Sequence, residues 1–288
     1  MKFLTLAVKS KYWRPGHNFL REVKRVERLV KDGDVIVLSE KALSTALNLV
    51  VDESKVKPGL AAKFLAKFWM RKVWGFILGP LCRLSPRNLS RVRNYPAREG
   101  AAHKQLAISY FGPIQALKVW SEGGMDVSNL PYSYACLPLK DPGEVAERVL
   151  RSLSRRRVAV MIVDSDKTFS FKNVHFSSRR ALKGIINLGP LAYVIGRFLK
   201  LRARSTPVAL KGMDLSLEEA LQIAAASNKA RKFGAGRTAW DMSASFKVGL
   251  SEVTWEMLEG IPHYPIVIVR SGLRPKPAQN GHGQGRGD

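Results

Sequence analysis

Six consecutive apolar residues, Val158 to Val163 (VAVMIV), run directly into Asp164. A run that short, that β-branched and without polar alternation forms a strand covered on both faces. Asp34 to Leu38 (DVIVL) reads the same way. An N-terminal strand is expected over Phe3 to Val8. After it, Asn18 to Lys31 places Leu20, Val23, Val26 and Val30 on one side of a helix, with Asn18 as its N-cap and Gly33 as its stop. Strand, helix, strand in this order marks an α/β fold, a mixed sheet with flanking helices. Further helices are expected from Asp141 to Arg155 and from Ser216 to Ala230, the second opened by a capping box of Ser216 and Glu219. Pro265 to Val269 reads as the last strand. Residues 1–271 form one domain in this reading, and the Gly-, Pro-, Gln- and Asn-rich residues 272–288 form a disordered tail.

One segment departs from the pattern. Lys55 to Lys104 holds twelve Lys or Arg and a single acid, Glu99, interleaved with aromatic residues. It reads as a basic helical insertion followed by a loop from Ser85 to Glu99, punctuated by Pro86 and Pro96. Its charge density predicts a position beside the central sheet rather than in it. Its most apolar run, Val73 to Cys82, is too short to cross a bilayer. That run reads as the end of a buried helix, with contact to a membrane interface as the alternative. The whole chain carries a formal charge of +25, which points to polyanionic partners: phosphorylated small molecules, acidic lipid or nucleic acid. Two cysteines, Cys82 and Cys136, match no metal-ligand spacing and suggest a reducing, cytoplasmic location.

Acids are scarce, 23 against 48 Lys and Arg, so acids beside apolar strands are informative. Val163-Asp164-Ser165-Asp166 follows the strongest strand, where α/β folds place their ligands. Asp164, Ser165 and Asp166 offer oxygens suited to Mg²⁺ or Mn²⁺, or else make a polar turn. A turn at Ser165 and Asp166 would swing Asp166 inward. Gly123-Gly124-Met125-Asp126-Val127-Ser128-Asn129 is the second candidate, either a close approach of backbone to ligand or an Asx-type turn. Gly234-Ala235-Gly236 reads as a helix C-cap. His103 is the histidine most worth following. No phosphate-binding GxxxxGK[ST], GxSxG or HExxH occurs.

Several of these segments, in order, resemble one family. Pro15-Gly16-His17-Asn18, Asp32 to Val37 with Lys41 and Ser44, Gly124-Met125-Asp126-Val127-Ser128-Asn129, Val160 to Ser165, Leu217 to Lys229 and Pro265 to Arg270 are similar to the motifs of the coenzyme F-420 gamma-glutamyl ligases. The likeness spans most of residues 1–271 outside the basic segment. It implies a gamma-glutamyl-ligase-like fold and transfer of glutamate to a phosphate-bearing carboxylate, with GTP or ATP and a divalent metal. It further implies catalytic and metal-binding roles for Asp126 and Asp164, a metal contact from Ser165, nucleotide contacts from Lys41 and Asn129, and a homodimer. Asp166, where the chain departs from the family, reads from its expected turn as a further metal ligand or a partner for the substrate amine. Two of the family's segments are replaced, by Thr45 to Leu49 and by Asp166 to Ser170, which points to a different acceptor. Lys41, Lys104 and Lys167 are expected to hold substrate phosphates, and Asp126 and Asp164 to converge on one site. The competing reading is a basic nucleic-acid-binding protein without catalytic activity.

Overall fold

The computed structural model describes residues 3–154 and 157–270; the expected tail lies outside them. The order of elements is β1 (Leu4–Ser10), α1 (Phe19–Val26), β2 (Val35–Ser39), α2 (Glu40–Ala46), β3 (Val50–Asp52), α3 (Leu60–Phe64), a π-helix (Leu65–Leu78), α4 (Gly79–Leu81), α5 (Pro86–Arg93), α6 (Arg98–Phe111), α7 (Pro113–Ala116), β4 (Tyr134–Cys136), α8 (Pro142–Ser152), β5 (Ala159–Phe171), β6 (Val174–Ser177), β7 (Ile185–Asn187), α9 (Pro190–Phe198), β8 (Arg202–Lys211), α10 (Leu217–Ala230), α11 (Ala239–Phe246), α12 (Trp255–Glu259) and β9 (His263–Arg270).

Seven strands make the main sheet, ordered β1-β9-β2-β5-β6-β7, with β8 on the other edge of β5. Only β2–β5 and β6–β7 pair in parallel. The apolar runs are continuous because helices cover both faces. Ile36, Leu38, Val160 and Ile162 meet Val23, Val26, Val145 and Val149 of α1 and α8 on one side. Val35, Val37, Met161 and Val163 meet Ala220, Ile223 and Ala224 of α10 on the other. Alternating side chains of the same strands thus feed two separate cores.

β5 is the spine, and it differs from expectation. The chain does not turn at Ser165 and Asp166; the strand continues for 13 residues, to Phe171. Its first half pairs with β2 up to Val163, and its second half pairs with β6 from Thr168. Opposite β8 the register slips between Asp164 and Lys167. This bulge absorbs the residues expected to turn, because β8 still pairs with both flanks. Asp164 to Lys167 therefore lie where β5 exchanges one neighbour for another. β8 itself escapes the sequence reading because Pro207 and three basic residues, Arg202, Arg204 and Lys211, interrupt its pattern.

The basic segment stays out of the main sheet. The short ribbon β3–β4 brackets residues 53–133, and that longer stretch builds its own cores around Met70, Trp74, Tyr95 and Ala101 and around Leu65, Leu106 and Met125. The expected loop after Ser85 is instead helix α5. Ser85 accepts from the Asn88 amide, and Pro86 occupies the first turn, where its missing N–H costs nothing. Trp69 and Trp74 both donate their indole N–H to the carbonyl of Leu117, at 2.9 and 2.8 Å. Residues five apart diverge around an α-helix but lie about one turn apart in the wider π winding.

His103 anchors this region. Its ring is 2.6 Å from Glu53 and 3.1 Å from Glu122, and Glu122 also holds Lys104. Burial opposes a charged imidazole here, but the two carboxylates outweigh it and push the His103 pKa up to about 10. The raised value means that the protonated ring stabilises the fold fully below pH 6.5, and that this contribution is lost as pH rises through about 10. Urea unfolding of the wild type should lose stability across that window, with a slope of up to about 1.4 kcal/mol per pH unit. In His103→Gln this slope should be absent; equal slopes would remove His103 from the account.

Candidate functional site

The break in β5 pairing opens a cavity of about 430 Å³ that brings together Lys41, Asp126, Asn129, Asp164, Ser165 and Asp166. Each arrives from a different constraint. β2 ends at Ser39, so Glu40 and Lys41 open helix α2 beside it. Asp126 is fixed by a bridge to Cys136, its backbone exchanging hydrogen bonds with that residue. Asp164 and Asp166 come from the bulged stretch of β5.

Every one of the three aspartates is held by a cation. Lys41 Nζ lies 2.5 Å from Asp126 and donates to Ser128 Oγ at 2.7 Å. Lys118 Nζ lies 2.9 Å from Asp166 and 2.8 Å from Ser178 Oγ. The Arg179 guanidinium grips both Glu40 oxygens, at 2.5 and 2.8 Å, and donates to Asp164 at 2.8 Å. Burial alone would raise the Asp164 carboxyl; Arg179 outweighs it and holds the group below its ordinary value. At Asp166 and Glu40 burial prevails and both are raised. Among the described residues no three His, Cys, Asp or Glu side chains are grouped as a metal site. The donor set at Asp126, Asp164, Ser165 and Asp166, as arranged, does not fit a bare divalent ion, because the carboxylates are already engaged and Ser165 is exposed.

The other expected residues take the following places. The Asn129 carboxamide donates to Gly236 O at 2.9 Å and accepts from Ala235 N at 2.7 Å, so it pins the loop 233–236 that was read as a simple cap. Gly123 and Gly124, both at positive φ, do not open the backbone to a ligand. A Cβ on Gly123 would strike the Phe111 ring, and one on Gly124 would strike the Arg179 guanidinium. Lys104, expected at substrate phosphates, is fully buried against Glu122. Lys167 does line the cavity, its pKa lowered by burial.

Four site groups carry no signal in the sequence. Arg179 and Lys118 come from segments with no motif, and their pairing is purely long-range. Arg231, on the turn after α10, lines the cavity with an unpartnered buried Nη1; burial lowers its pKa to about 10. His263 Nε2 is likewise buried without a partner, and burial with nearby cations pushes its pKa down to about 3, so the ring is neutral at physiological pH. Buried polar atoms left unpaired at a cavity wall are positions for ligand contacts. A second cavity, of about 1150 Å³, adjoins the first and shares Trp120, Asp126 and Arg237 with it. The basic segment supplies much of its wall, including Tyr95, Arg98 and His103.

Because Arg179 neutralises two buried carboxylates, Arg179→Met should cost about 3–5 kcal/mol in urea unfolding. Adding Glu40→Gln should recover part of that loss by removing one stranded charge. A single substitution costing under about 1 kcal/mol would show that the network is not buried in solution.

The geometry can now be set beside known proteins. An uncharacterized protein of Methanocaldococcus jannaschii is 33% identical to this chain over 289 aligned residues, covering 94% of the chain and 97% of that protein. Residues 8–210, which run from β1 to the last residues of β8 and so include the cavity's aspartates, match the family of F420-0:gamma-glutamyl ligases. The chain belongs to the F420-0:gamma-glutamyl ligase family.

Proposed function

We propose that this chain is a nucleotide-using acid–amine ligase acting on a phosphate-bearing carboxylate. In this reading a carboxylate oxygen attacks the γ-phosphorus of GTP or ATP and the nucleoside diphosphate leaves. The amine of an amino acid such as glutamate then attacks the acyl carbon, loses a proton, and expels phosphate as the amide forms. The supporting observation is the charge of the smaller cavity. Six cations line it, Lys41, Lys118, Lys167, Arg231, Lys232 and Arg237, against three carboxylates. An excess of cations at the switch point of an α/β sheet suits a polyphosphate.

The division of labour follows from the partners already formed. Lys41 and Lys118 are committed to Asp126 and Asp166, so they set the shape of the floor. Lys167, Arg231 and Arg237 are left to meet phosphate oxygens; Arg231 carries the unpartnered nitrogen. The neutral His263 ring beside it is suited to a hydrogen bond without adding charge. The larger adjoining cavity is the place for the acceptor, and Asp126 on the shared wall is where carboxylate and nucleotide would meet. A divalent ion enters only as a competitor for carboxylates that cations already hold, and no step above depends on one.

Calorimetry with GTP and ATP in EDTA tests this arrangement. Binding should persist without metal, and Arg231→Met and Lys167→Met should each weaken it by about 10- to 100-fold, the worth of a charge-assisted hydrogen bond. A strict metal requirement for binding would return Asp126 and Asp164 to the role of metal ligands. Nucleotide turnover should then appear only when an amine and a carboxylate acceptor are both supplied. Turnover indifferent to both across a broad panel would remove the ligase reading.

A further inference from the structure

The basic helical segment carries a second surface, on the side away from its cores. From α3 through the π-helix to α4, residues 60–81 are consecutively helical. Ala62, Leu65, Ala66, Met70 and Trp74 are buried. The helix exposes Leu60, Phe64, Phe68, Phe76, Ile77 and Leu81, the first three at intervals of four, with Leu60 85% and Ile77 63% accessible. The run Val73 to Cys82 is therefore not the buried helix end that its apolarity suggested; half of it faces outward. Lys67 and Lys72 stand exposed on the same helix and line neither cavity. Phe64 and Phe68 stack at 5.2 Å, and Lys72 and Arg93 lie over Phe76 at 5.8 and 4.5 Å.

Helix α9 repeats the pattern. Leu191, Ile195, Phe198 and Leu199 are exposed on one face while Ala192 and Gly196 face inward. α9 packs against α4, and Arg197 ties the two by donating to the carbonyls of Cys82 and Arg83 at 3.0 and 2.9 Å. Both helices lie in stretches devoid of acid. Residues 54–98 hold eleven Lys or Arg and no Asp or Glu, and residues 167–213 hold ten and none.

We infer that these two helix faces form a docking surface for an anionic lipid membrane. Exposed Phe and Leu flanked by Lys, on a helix that lies in the surface plane, is the composition that partitions into the headgroup boundary of an acidic bilayer. The occupant is selected by charge and by side-chain type. A second copy of this chain, paired about a two-fold axis, would bring Lys67 and Lys72 of both copies into one interface with no acid on the face of either helix. The chain's own residues 271–288 hold one large apolar side chain, Leu273, too few to cover the face. A nucleic acid would meet the lysines, but Leu60, Ile77, Leu81, Leu191 and Leu199 have no ring on which a base could stack. Acyl chains satisfy both the aliphatic residues and the cations. No helix among the described residues is long and apolar enough to cross a membrane, so the contact is peripheral.

Flotation of the full-length chain tests the surface. Vesicles of phosphatidylcholine with about one-third phosphatidylglycerol should carry it at low salt, whereas phosphatidylcholine alone should not. Raising salt should weaken the binding by screening. The double variant Lys67→Gln, Lys72→Gln should lower the partition coefficient on the order of 30-fold. Phe64→Ser, Phe68→Ser, Ile77→Ser together should lower it by at least about tenfold at every salt concentration. Since all five side chains are exposed and line neither cavity, both variants should keep wild-type circular dichroism and nucleotide affinity. Any of four outcomes overturns the inference: no flotation with the acidic vesicles; equal flotation of the apolar variant; a dimer in light scattering that the apolar variant dissociates; or binding of poly(U) that the apolar variant abolishes.

Discussion

The Arg179 guanidinium sits between two carboxylates that arrive from neighbouring strands, Glu40 just beyond β2 and Asp164 in β5. Those strands pair in parallel up to Ser39 and Val163 and then part. At that point an unpaired end of sheet would face the cavity, and Arg179 closes it. Glu40 also accepts from the Leu139 amide, so the same carboxylate fixes the entrance to the segment that leads into α8. Three buried ions in contact lose hydration that only good geometry can repay, and here Glu40 is gripped by two donors. The consequence reaches the cavity directly. With Glu40 fixed at the first turn of α2, Lys41 has one direction left, toward Asp126. Gly124 lies against Arg179, where any side chain would collide, and it is two residues from Asp126. One guanidinium thus sets the positions of three of the residues on which the proposed chemistry rests.

How far this was legible in the sequence depends on the range of the interaction. β2, β5 and β9 were readable because their apolar runs report local burial on both faces. The capping box at Ser216 and Glu219 formed as read, since all its atoms lie within four residues. The motif segments around Asp126 and Asp164 were readable as a likeness to the family, and both residues line the same cavity. The partners of the aspartates were not readable. Lys118 meets Asp166 from 48 positions away, and Arg179 meets Glu40 from 139 away. No spacing rule spans such distances. Among local signals, Pro86 reads as a break although Ser85 before it makes a helix start. Of the two readings of the segment before Asn129, the Asx-type turn is the one that forms, Asp126 Oδ1 accepting from the Ser128 amide at 2.7 Å, while the two glycines leave room for Phe111 and Arg179.

The positive charge of the chain divides into three populations with different physics. One is spent internally: Lys41, Lys104, Lys118 and Arg179 neutralise buried acids, and each would be costly to strand. A second lines the smaller cavity with its hydrogen-bonding capacity incompletely used, as at Arg231. A third stands in solvent along the basic helices, where isolated charges contribute little to folding. A net charge of +25 is therefore not one property. Removing cations of the first kind attacks the fold, of the second ligand affinity, and of the third neither.

The winding of the helix over residues 60–81 follows from two hydrogen bonds rather than from its charge. Its apolar side chains occur all around the axis, which in an ordinary α-helix implies burial on every side. Here Trp69 and Trp74 both reach the Leu117 carbonyl, and that shared acceptor requires residues five apart to fall on one side. The π winding satisfies it over 14 residues, far longer than the single-turn bulge in which it usually occurs. With the two indoles anchored inward, Phe68 and Phe76 are carried outward. An α winding would separate the two indoles by about 140° and turn one of them to solvent. The helix therefore keeps its indole hydrogen bonds by giving up its phenylalanines to the outside, an exchange that favours the fold only where the outer medium is itself apolar or the exposure is tolerated by the surrounding lysines.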